Sequence, residues 1–276
     1  MVSPAVLLIV VVAFLPVLYT IYLSLHEATV TTTGSFVGLA NYVEVFEDPA
    51  FRSALANTVI FTVVSVPLEL ALGLGIALTL NRWFRGRGLM RAAVLVPWAF
   101  PVVISALMWR LMLQDQVGIV SYVAQTVGLG DGPILSNRTS LMIAAIGVDV
   151  WKTTPFMALL LLAGLQTSPG EVLEAARVDG ANAVQRLWRI VLPLLKPTIL
   201  VALLFRTLEA WSVYDLFWVM SDRKLDSLST YVYEGVRVSQ LQFAPGTAAA
   251  VFVFVTAIAI AMVYLKGLGA RTGIED

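Results

Sequence analysis

Long apolar runs separated by short polar connections form the dominant pattern of the chain. Six runs stand out, at residues 4–25, 58–80, 89–113, 141–165, 197–220 and 247–265. A helix of roughly 20 apolar residues crosses a bilayer core about 30 Å thick, so each run is long enough to span it. The period-two alternation typical of an outer-membrane barrel is absent, and the runs favour helices. The sequence therefore predicts an all-α integral membrane protein with six transmembrane helices in a single domain over residues 1–276.

The overall composition agrees with this interpretation. Of the 276 residues, 59% are hydrophobic and only 13% are charged, whereas a typical soluble domain is about a quarter charged. The absence of cysteine excludes disulfides, thiolate metal sites and cysteine nucleophiles. The single histidine, His26, lies at the end of a run, so neither a metal site nor a Ser-His-Asp mechanism has support. We expect neither a metal site nor catalytic residues in this chain.

Basic residues are distributed unequally between the two sides of the predicted membrane. The connections after the second, fourth and sixth runs contain ten of them: Arg82, Arg85, Arg87, Arg91, Arg177, Arg186, Arg189, Lys196, Lys266 and Arg271. The alternate connections contain five: Arg52, Arg138, Arg223, Lys224 and Arg237. The positive-inside rule places the richer set, and both termini, in the cytoplasm. Met1 leads into the first run without a basic flank, which leaves open whether the natural chain extends upstream and disfavours a signal peptide.

The predicted cytoplasmic connection 168–193 carries signals for two short helices. Ser168 is a suitable N-cap, and Glu171 falls three residues later, as in a capping box. Gly180 is placed to end the first helix, and a second apolar period stops at Pro193. The residues alone are equally compatible with a rigid helix–turn–helix unit and with an amphipathic helix that rests on lipid headgroups.

Three short strings in this connection resemble the EAA loop of ABC importer permeases: Glu174-Ala175-Ala176, Asp179-Gly180-Ala181 and Leu192-Pro193. The resemblance implies a type I ABC importer permease fold in which this loop is a coupling helix that docks in a cleft of an ATPase subunit. It further implies that Glu174 makes a polar contact there, that Gly180 makes the turn, and that the alanines allow close packing. Two such ATPase subunits would close on ATP and move the membrane helices.

Further matches extend the resemblance over most of the chain. They include Phe36–Tyr42, Trp151, Pro155-Phe156 and Leu162–Gln166, and they are similar to the maltose and glycerol-phosphate branch of sugar permeases. Within that branch, the sequence most resembles the trehalose permeases. The resemblance implies a bacterial inner-membrane protein that works with a second homologous permease and an extracytoplasmic sugar-binding (lipo)protein, surrounded by lipid and without nucleic acid. Trehalose is the expected solute, with maltose or glycerol phosphate as alternatives.

Several ionisable residues interrupt the apolar runs. Each costs about 2.5–3.5 kcal/mol at a helix centre, so such residues usually face a cavity or one another. Asp149 and Lys152 are three residues apart, as are Arg206 and Glu209, and this spacing places each pair on one helix face. Neighbouring polar and aromatic side chains are suited to the hydroxyls and ring faces of a sugar, so these residues together predict a substrate pathway. The predicted pathway residues are Asp149, Lys152, Thr153, Phe156, Arg206, Glu209 and Trp211. The alternative is that the charges form ion pairs with the second permease and never touch the solute.

The chain contains no G-x-x-x-x-G-K-[ST] motif, so it cannot bind ATP by that route. We therefore expect ATP and Mg on separate ATPase subunits and no cofactor in this chain. Two other functions fit the sequence less well than an importer subunit. A secondary transporter predicts inverted repeats with matching broken helices, and none is evident. An intramembrane enzyme needs a nucleophile and a base, and the acids within the runs have no histidine partner.

Overall fold

A computed structural model describes residues 7–8, 10–114, 117–128, 134–167, 170–238 and 243–269, and helices dominate these ranges. The long helices that matter below are α1 (Leu15–Ser24), α3 (Pro49–Asn81), α7 (Arg138–Thr167), α10 (Leu192–Trp211) and α13 (Phe243–Gly269). Shorter helices are α2 (Ala40–Glu47), α4 (Arg87–Ala99), α5 (Val102–Met112), α6 (Ile119–Thr126), α8 (Gly170–Val178), α9 (Ala183–Arg186), α11 (Asp215–Ser221) and α12 (Leu228–Tyr233). π-Helical turns occupy Val10–Phe14, Leu187–Val191 and Glu234–Val238, and strands β1 (His26–Ala28) and β2 (Thr33–Phe36) pair antiparallel.

Four helices in the described ranges are long and apolar enough to cross a bilayer: Pro49–Asn81, Arg138–Thr167, Ala183–Trp211 and Phe243–Leu268. The pair α4 and α5 adds a fifth crossing if both belong to one span. A shorter apolar helix, Val10–Ser24, corresponds to the first predicted run. The mostly helical membrane fold agrees with the sequence, and the six-helix count stays a prediction.

Two predicted runs are not single helices. The run 89–113 bends by 87° between α4 and α5. The residue at the bend, Phe100, is extended with ψ 140°, because Pro101 disfavours the helical conformation in the residue before it. The run 197–220 starts earlier, at Leu192, and is interrupted between α10 and α11.

Contacts divide the described residues into two compact units, and the single permease domain over residues 1–276 stays a prediction. Residues 1–60 and 211–259 form one, and residues 61–210 and 260–276 form the other. In the first unit, Phe51, Leu228 and Ala248 are fully buried and packed together. In the second unit, buried residues of α3, α7 and α10, such as Leu161 and Leu195, form the core. This second unit contains the coupling segment and most of the predicted pathway residues.

Candidate functional site

The predicted coupling segment ends its first helix in a well-defined turn. The Gly180 amide donates to the Arg177 carbonyl at 3.1 Å, and the Ala181 amide donates to the Ala176 carbonyl at 2.9 Å. These two bonds form a Schellman motif, with Gly180 in the left-handed conformation at φ +79°. The predicted helix end at Gly180 is therefore confirmed. The predicted N-cap, Ser168, lies outside the described residues.

The next helix begins at a cap that the sequence analysis missed. The Asn182 side chain accepts from the Gln185 amide at 2.8 Å, and the Gln185 side chain accepts from the Asn182 amide at 2.9 Å. This capping box follows directly on the Schellman turn, so both helix ends at the turn have their backbone groups satisfied. The spacing of Asn182 and Gln185 in the sequence carried that signal.

The expected stop at Pro193 is wrong. The second helix runs from Ala183 through the π turn Leu187–Val191 into α10, so that one helix continues to Trp211. A proline within a helix clashes with the carbonyl four residues earlier, and a wider π turn changes the register of that carbonyl. The π turn immediately before Pro193 allows the helix to continue into the membrane.

The coupling segment is largely exposed and contains several small residues. Glu174, Ala175, Asp179 and Gly180 are exposed, whereas Ala176 is buried and Ala181 half-buried. Exposed apolar side chains lie on the same segment and the helix after it: Val172, Val178, Val184 and Trp188. Carboxylates, small residues and exposed apolar side chains on a capped turn provide a surface on which another protein can pack closely.

A buried ion pair joins two long helices of the second unit. Glu69 on α3 and Arg206 on α10 are 0% and 1% exposed. Arg206 donates from Nε to Glu69 Oε2 at 2.6 Å and from Nη2 to Glu69 Oε1 at 2.8 Å. This two-bond geometry matches the planar guanidinium to the carboxylate.

Two more carboxylates complete the coordination of Arg206. Its Nη1 donates to Glu209 Oε2 at 2.6 Å, and its Nη2 also donates to Asp149 Oδ2 at 3.1 Å. Thr153 on α7 donates to Glu69 Oε1 at 2.8 Å. Three helices are thus linked by a polar cluster at the middle of their apolar runs. We call Glu69, Asp149, Thr153, Arg206 and Glu209 the charge cluster.

Burial separates the members of the charge cluster into two kinds. The guanidinium of Arg206 is enclosed by carboxylates and leaves no surface for a solute. The side chain of Glu209 is 61% exposed, and that of Asp149 is 13% exposed. Glu209 is therefore the carboxylate that the cluster presents to its surroundings.

The remaining predicted pathway residues are in different places. Lys152 is buried on α7, and Phe156 stacks on Trp98 with ring centroids 5.7 Å apart. Trp211 belongs to the other compact unit, where its indole N–H donates to Thr256 at 3.0 Å. The structure thus brings together Asp149, Thr153, Arg206 and Glu209. The partner of Glu69 could not be predicted from the sequence, since no local spacing connects it to Arg206, 137 positions away.

Comparison with known proteins gave matches over nearly the whole chain. Residues 70–273 match the family described as binding-protein-dependent transport system inner membrane component. The trehalose/maltose transport system permease protein MalF of Thermococcus litoralis is 40% identical over 271 residues, covering 96% of this chain and 91% of that protein. The trehalose transport system permease protein SugA of Mycobacterium tuberculosis is 38% identical, covering 98% and 88%. The sulfoquinovosyl glycerol transport system permease protein SmoG of Agrobacterium fabrum is 37% identical, covering 96% and 87%.

Solved structures show the same fold. A chain of a bacterial alginate ABC transporter, solved in complex with an alginate pentasaccharide-bound periplasmic protein, superimposes with a TM-score of 0.84 at 23% identity. The match covers 99% of this chain and 95% of that chain. A chain of the MetNI methionine ABC transporter matches with a TM-score of 0.58 at 19% identity, covering 81% and 96%. At these identities, the likeness is one of fold.

Proposed function

The chain belongs to the family of binding-protein-dependent transport system inner membrane components, and from this premise we propose that it forms half of the translocation pathway for a disaccharide such as trehalose. The permease assignment and the importer permease fold predicted from the sequence are confirmed by the matches.

The observation that carries the choice of solute is near full-length similarity to two permeases named for trehalose. A permease named for sulfoquinovosyl glycerol and one named for sn-glycerol-3-phosphate, 37% and 30% identical, keep other solutes as alternatives. All of these names describe polyhydroxylated solutes. Such solutes offer many hydroxyl groups, so a pathway for them needs hydrogen-bond acceptors beside aromatic surfaces.

In our proposal the exposed carboxylate of Glu209 accepts hydrogen bonds from the sugar, and Phe156 with Trp98 provides the apolar surface in the same unit. Arg206 and Thr153 are too buried to touch the sugar. Arg206 holds Glu209 and Asp149 in place through its hydrogen bonds to both carboxylates, and Thr153 bonds to Glu69, the third carboxylate around Arg206. A specific observation also favours the alternative: an exposed Glu209 could instead pair with a basic residue of the second permease.

Coupling to ATP occurs at the capped turn between α8 and α9 in this proposal. Glu174 and Asp179 contact an ATPase subunit, and Ala175, Gly180 and Ala181 allow the two backbones to approach. A turn closed by a Schellman motif and a capping box resists bending, so displacement of the turn would be passed on to the helix that continues into the membrane. The complete importer would contain a second permease, two ATPase subunits that bind ATP and Mg, and an external binding protein.

The excess of basic residues on one side supports an orientation with this turn and both termini in the cytoplasm of a bacterial cell. The β1–β2 hairpin, α6 and α12 would then lie on the outer side, where a binding protein delivers the sugar.

Uptake of labelled trehalose, maltose and glycerol phosphate by cells with and without the gene tests the solute. Glu174→Lys tests the coupling role, and Glu47→Lys, a charge reversal at an exposed glutamate of α2, is the matched control. We expect selective loss of trehalose uptake without the gene, and loss of uptake and of ATPase association for Glu174→Lys only. Trehalose uptake that is independent of the gene would reject the solute, and normal uptake by Glu174→Lys would reject the coupling role.

A further inference from the structure

The first compact unit contains a cavity of about 520 Å³ that the proposed pathway does not use. Its walls are formed by the end of α1, the gap between α10 and α11, α12 with its π turn, and the start of α13. Its chemically distinctive lining residues are Ser212, Tyr214, Ser229, Tyr233, Arg237 and Phe243. The volume falls within the range of about 300–1,000 Å³ typical of small-molecule sites.

A broken helix forms one wall of this cavity. The chain leaves the helical conformation after Trp211 and regains it at Asp215, within the apolar run 197–220. The carbonyl of Val213, freed by the break, accepts a hydrogen bond from the Ser227 hydroxyl at 2.6 Å. Irregular backbone at membrane depth is tolerated where it is buried in protein or lines a water-filled cavity, and not where it faces lipid. The break therefore argues against a lipid chain as the occupant.

Aromatic rings at the break pack against one another. The ring centroids of Tyr214 and Tyr233 are 5.1 Å apart, and each ring also packs on Trp218, at 5.8 and 5.0 Å. Rigid aromatic faces contribute contact area with little loss of side-chain freedom, and they suit the apolar face of a pyranose ring.

Polar groups of the cavity are available for a ligand. Among the described residues, the hydroxyls of Ser212 and Ser229 have no hydrogen-bond partner, and Arg237 makes no ion pair. Hydroxyls both donate and accept, and a guanidinium donates, which matches the alternating donors and acceptors of a sugar. The described lining residues include no carboxylate.

We propose that this cavity binds a pyranose ring of the transported sugar, as a site additional to the surface around Glu209. In the charge-based orientation its walls include elements that lie on the outer side, α12 and the start of α13, where the sugar arrives. The inference rests on the proposed function for its substrate class and orientation.

Thiol protection in the complete importer tests this site directly, because the chain contains no cysteine of its own. Ser229→Cys places a thiol of nearly unchanged size in the cavity, and Ser136→Cys provides a control at an exposed serine outside it. A membrane-impermeant maleimide is added from the outer side with and without trehalose. At trehalose about ten times its half-saturating concentration, labelling of Ser229→Cys should slow about tenfold while that of Ser136→Cys is unchanged. Equal labelling with and without trehalose, or no labelling of Ser229→Cys at all, would overturn the proposal.

Transport kinetics provide the second readout. Tyr233→Ala should raise the KM for trehalose uptake about threefold to tenfold through loss of stacking, whereas the control Tyr122→Ala should leave it unchanged. Unchanged KM in Tyr233→Ala, with normal trehalose uptake, rejects the cavity site alone. If the wild-type importer takes up no trehalose, the assignment of trehalose as the solute is rejected. The labelling experiment is then repeated with maltose and glycerol phosphate. Protection by neither would reject the cavity site as well.

Discussion

Arg206 and Glu69 face each other through two hydrogen bonds of 2.6 and 2.8 Å, although 137 residues separate them in the chain. Both side chains are removed from solvent. Removing two charges from water is unfavourable, and their attraction offsets this only with close geometry and further hydrogen bonds. Thr153 and Asp149 supply those further bonds. The pair thus fixes α3, α7 and α10 in one arrangement.

The first prediction concerns this pair. Arg206→Met should lower the free energy of unfolding by about 3–5 kcal/mol, because Glu69 would be left as a buried charge without a cation. Arg223→Met removes a partner of Glu234 in a largely exposed pair and should cost at most about 1 kcal/mol. Thermal unfolding of the purified complexes measures both.

A double variant separates charge from packing. Glu69→Gln with Arg206→Met leaves no buried charge at this pair and should recover part of the lost stability. Equal stability of Arg206→Met and wild type would show that the buried pair does not hold the three helices.

The second prediction concerns two glycines of α3. An added Cβ at Gly73 would lie 2.8 Å from Met157 Cγ and 3.2 Å from the Ala158 amide nitrogen, whereas at Gly75 it would meet nothing within 4 Å. Gly73→Ala should destabilise the chain by about 1–3 kcal/mol through overpacking. Gly75→Ala should be neutral or stabilising, because alanine favours helix by about 1 kcal/mol over glycine. Thermal unfolding measures the stability of both variants. A Gly73→Ala variant as stable as wild type would contradict the close packing of α3 on α7.

Much of the helical framework could be predicted from hydropathy, because a membrane helix satisfies its own backbone and needs only an apolar run of sufficient length. The helix end at Gly180 and the pairing of Arg206 with Glu209 were also predictable, since both depend on residues within one helical turn.

Features that depend on distant residues were not predictable in this way. Asp149 was expected beside Lys152 on its own helix, yet it pairs with Arg206 of another. The break after Trp211 has no glycine or proline to signal it, and its freed carbonyl is satisfied by Ser227, which follows α11 in the chain. Such partners are set by tertiary packing, and only the fold identifies them.

The third prediction concerns the coupling turn. Gly180 has φ +79°, where a residue with a Cβ costs about 1–2 kcal/mol. Gly180→Ala should therefore weaken the stimulation of ATPase activity by sugar-loaded binding protein. Gly180→Asn should retain more of the stimulation, since asparagine adopts this conformation more readily.

Gly88→Ala on α4 is the matched control for this turn, because a Cβ there meets nothing within 4 Å and needs no positive φ. ATPase activity of the reconstituted complex is the measurement. Stimulation of Gly180→Ala equal to that of wild type would show that the geometry of the turn does not limit coupling.

The fourth prediction concerns pH. The hydroxyl of Tyr231 donates to Asp48 Oδ2 at 2.7 Å, and burial, followed by this bond to a carboxylate, raises the pKa of Tyr231 above its ordinary value of about 10. The folded chain therefore keeps the phenol proton at a pH where the unfolded chain releases it. By linkage, the stabilisation is complete below about pH 10 and is lost as the pH rises above that value.

Tyr231→Phe tests this relationship, since it removes both the hydrogen bond and the titrating group. At neutral pH it should lower the free energy of unfolding by about 1–3 kcal/mol, as expected for a hydrogen bond to a charged partner. Between about pH 9 and 11 its stability should fall less steeply than that of wild type, by up to about 1.4 kcal/mol per pH unit. Tyr122→Phe, at an exposed tyrosine of α6, should follow the wild-type profile. Parallel profiles for Tyr231→Phe and wild type would mean that Tyr231 loses its proton equally in the folded and unfolded chains, and that the bond to Asp48 does not retain it.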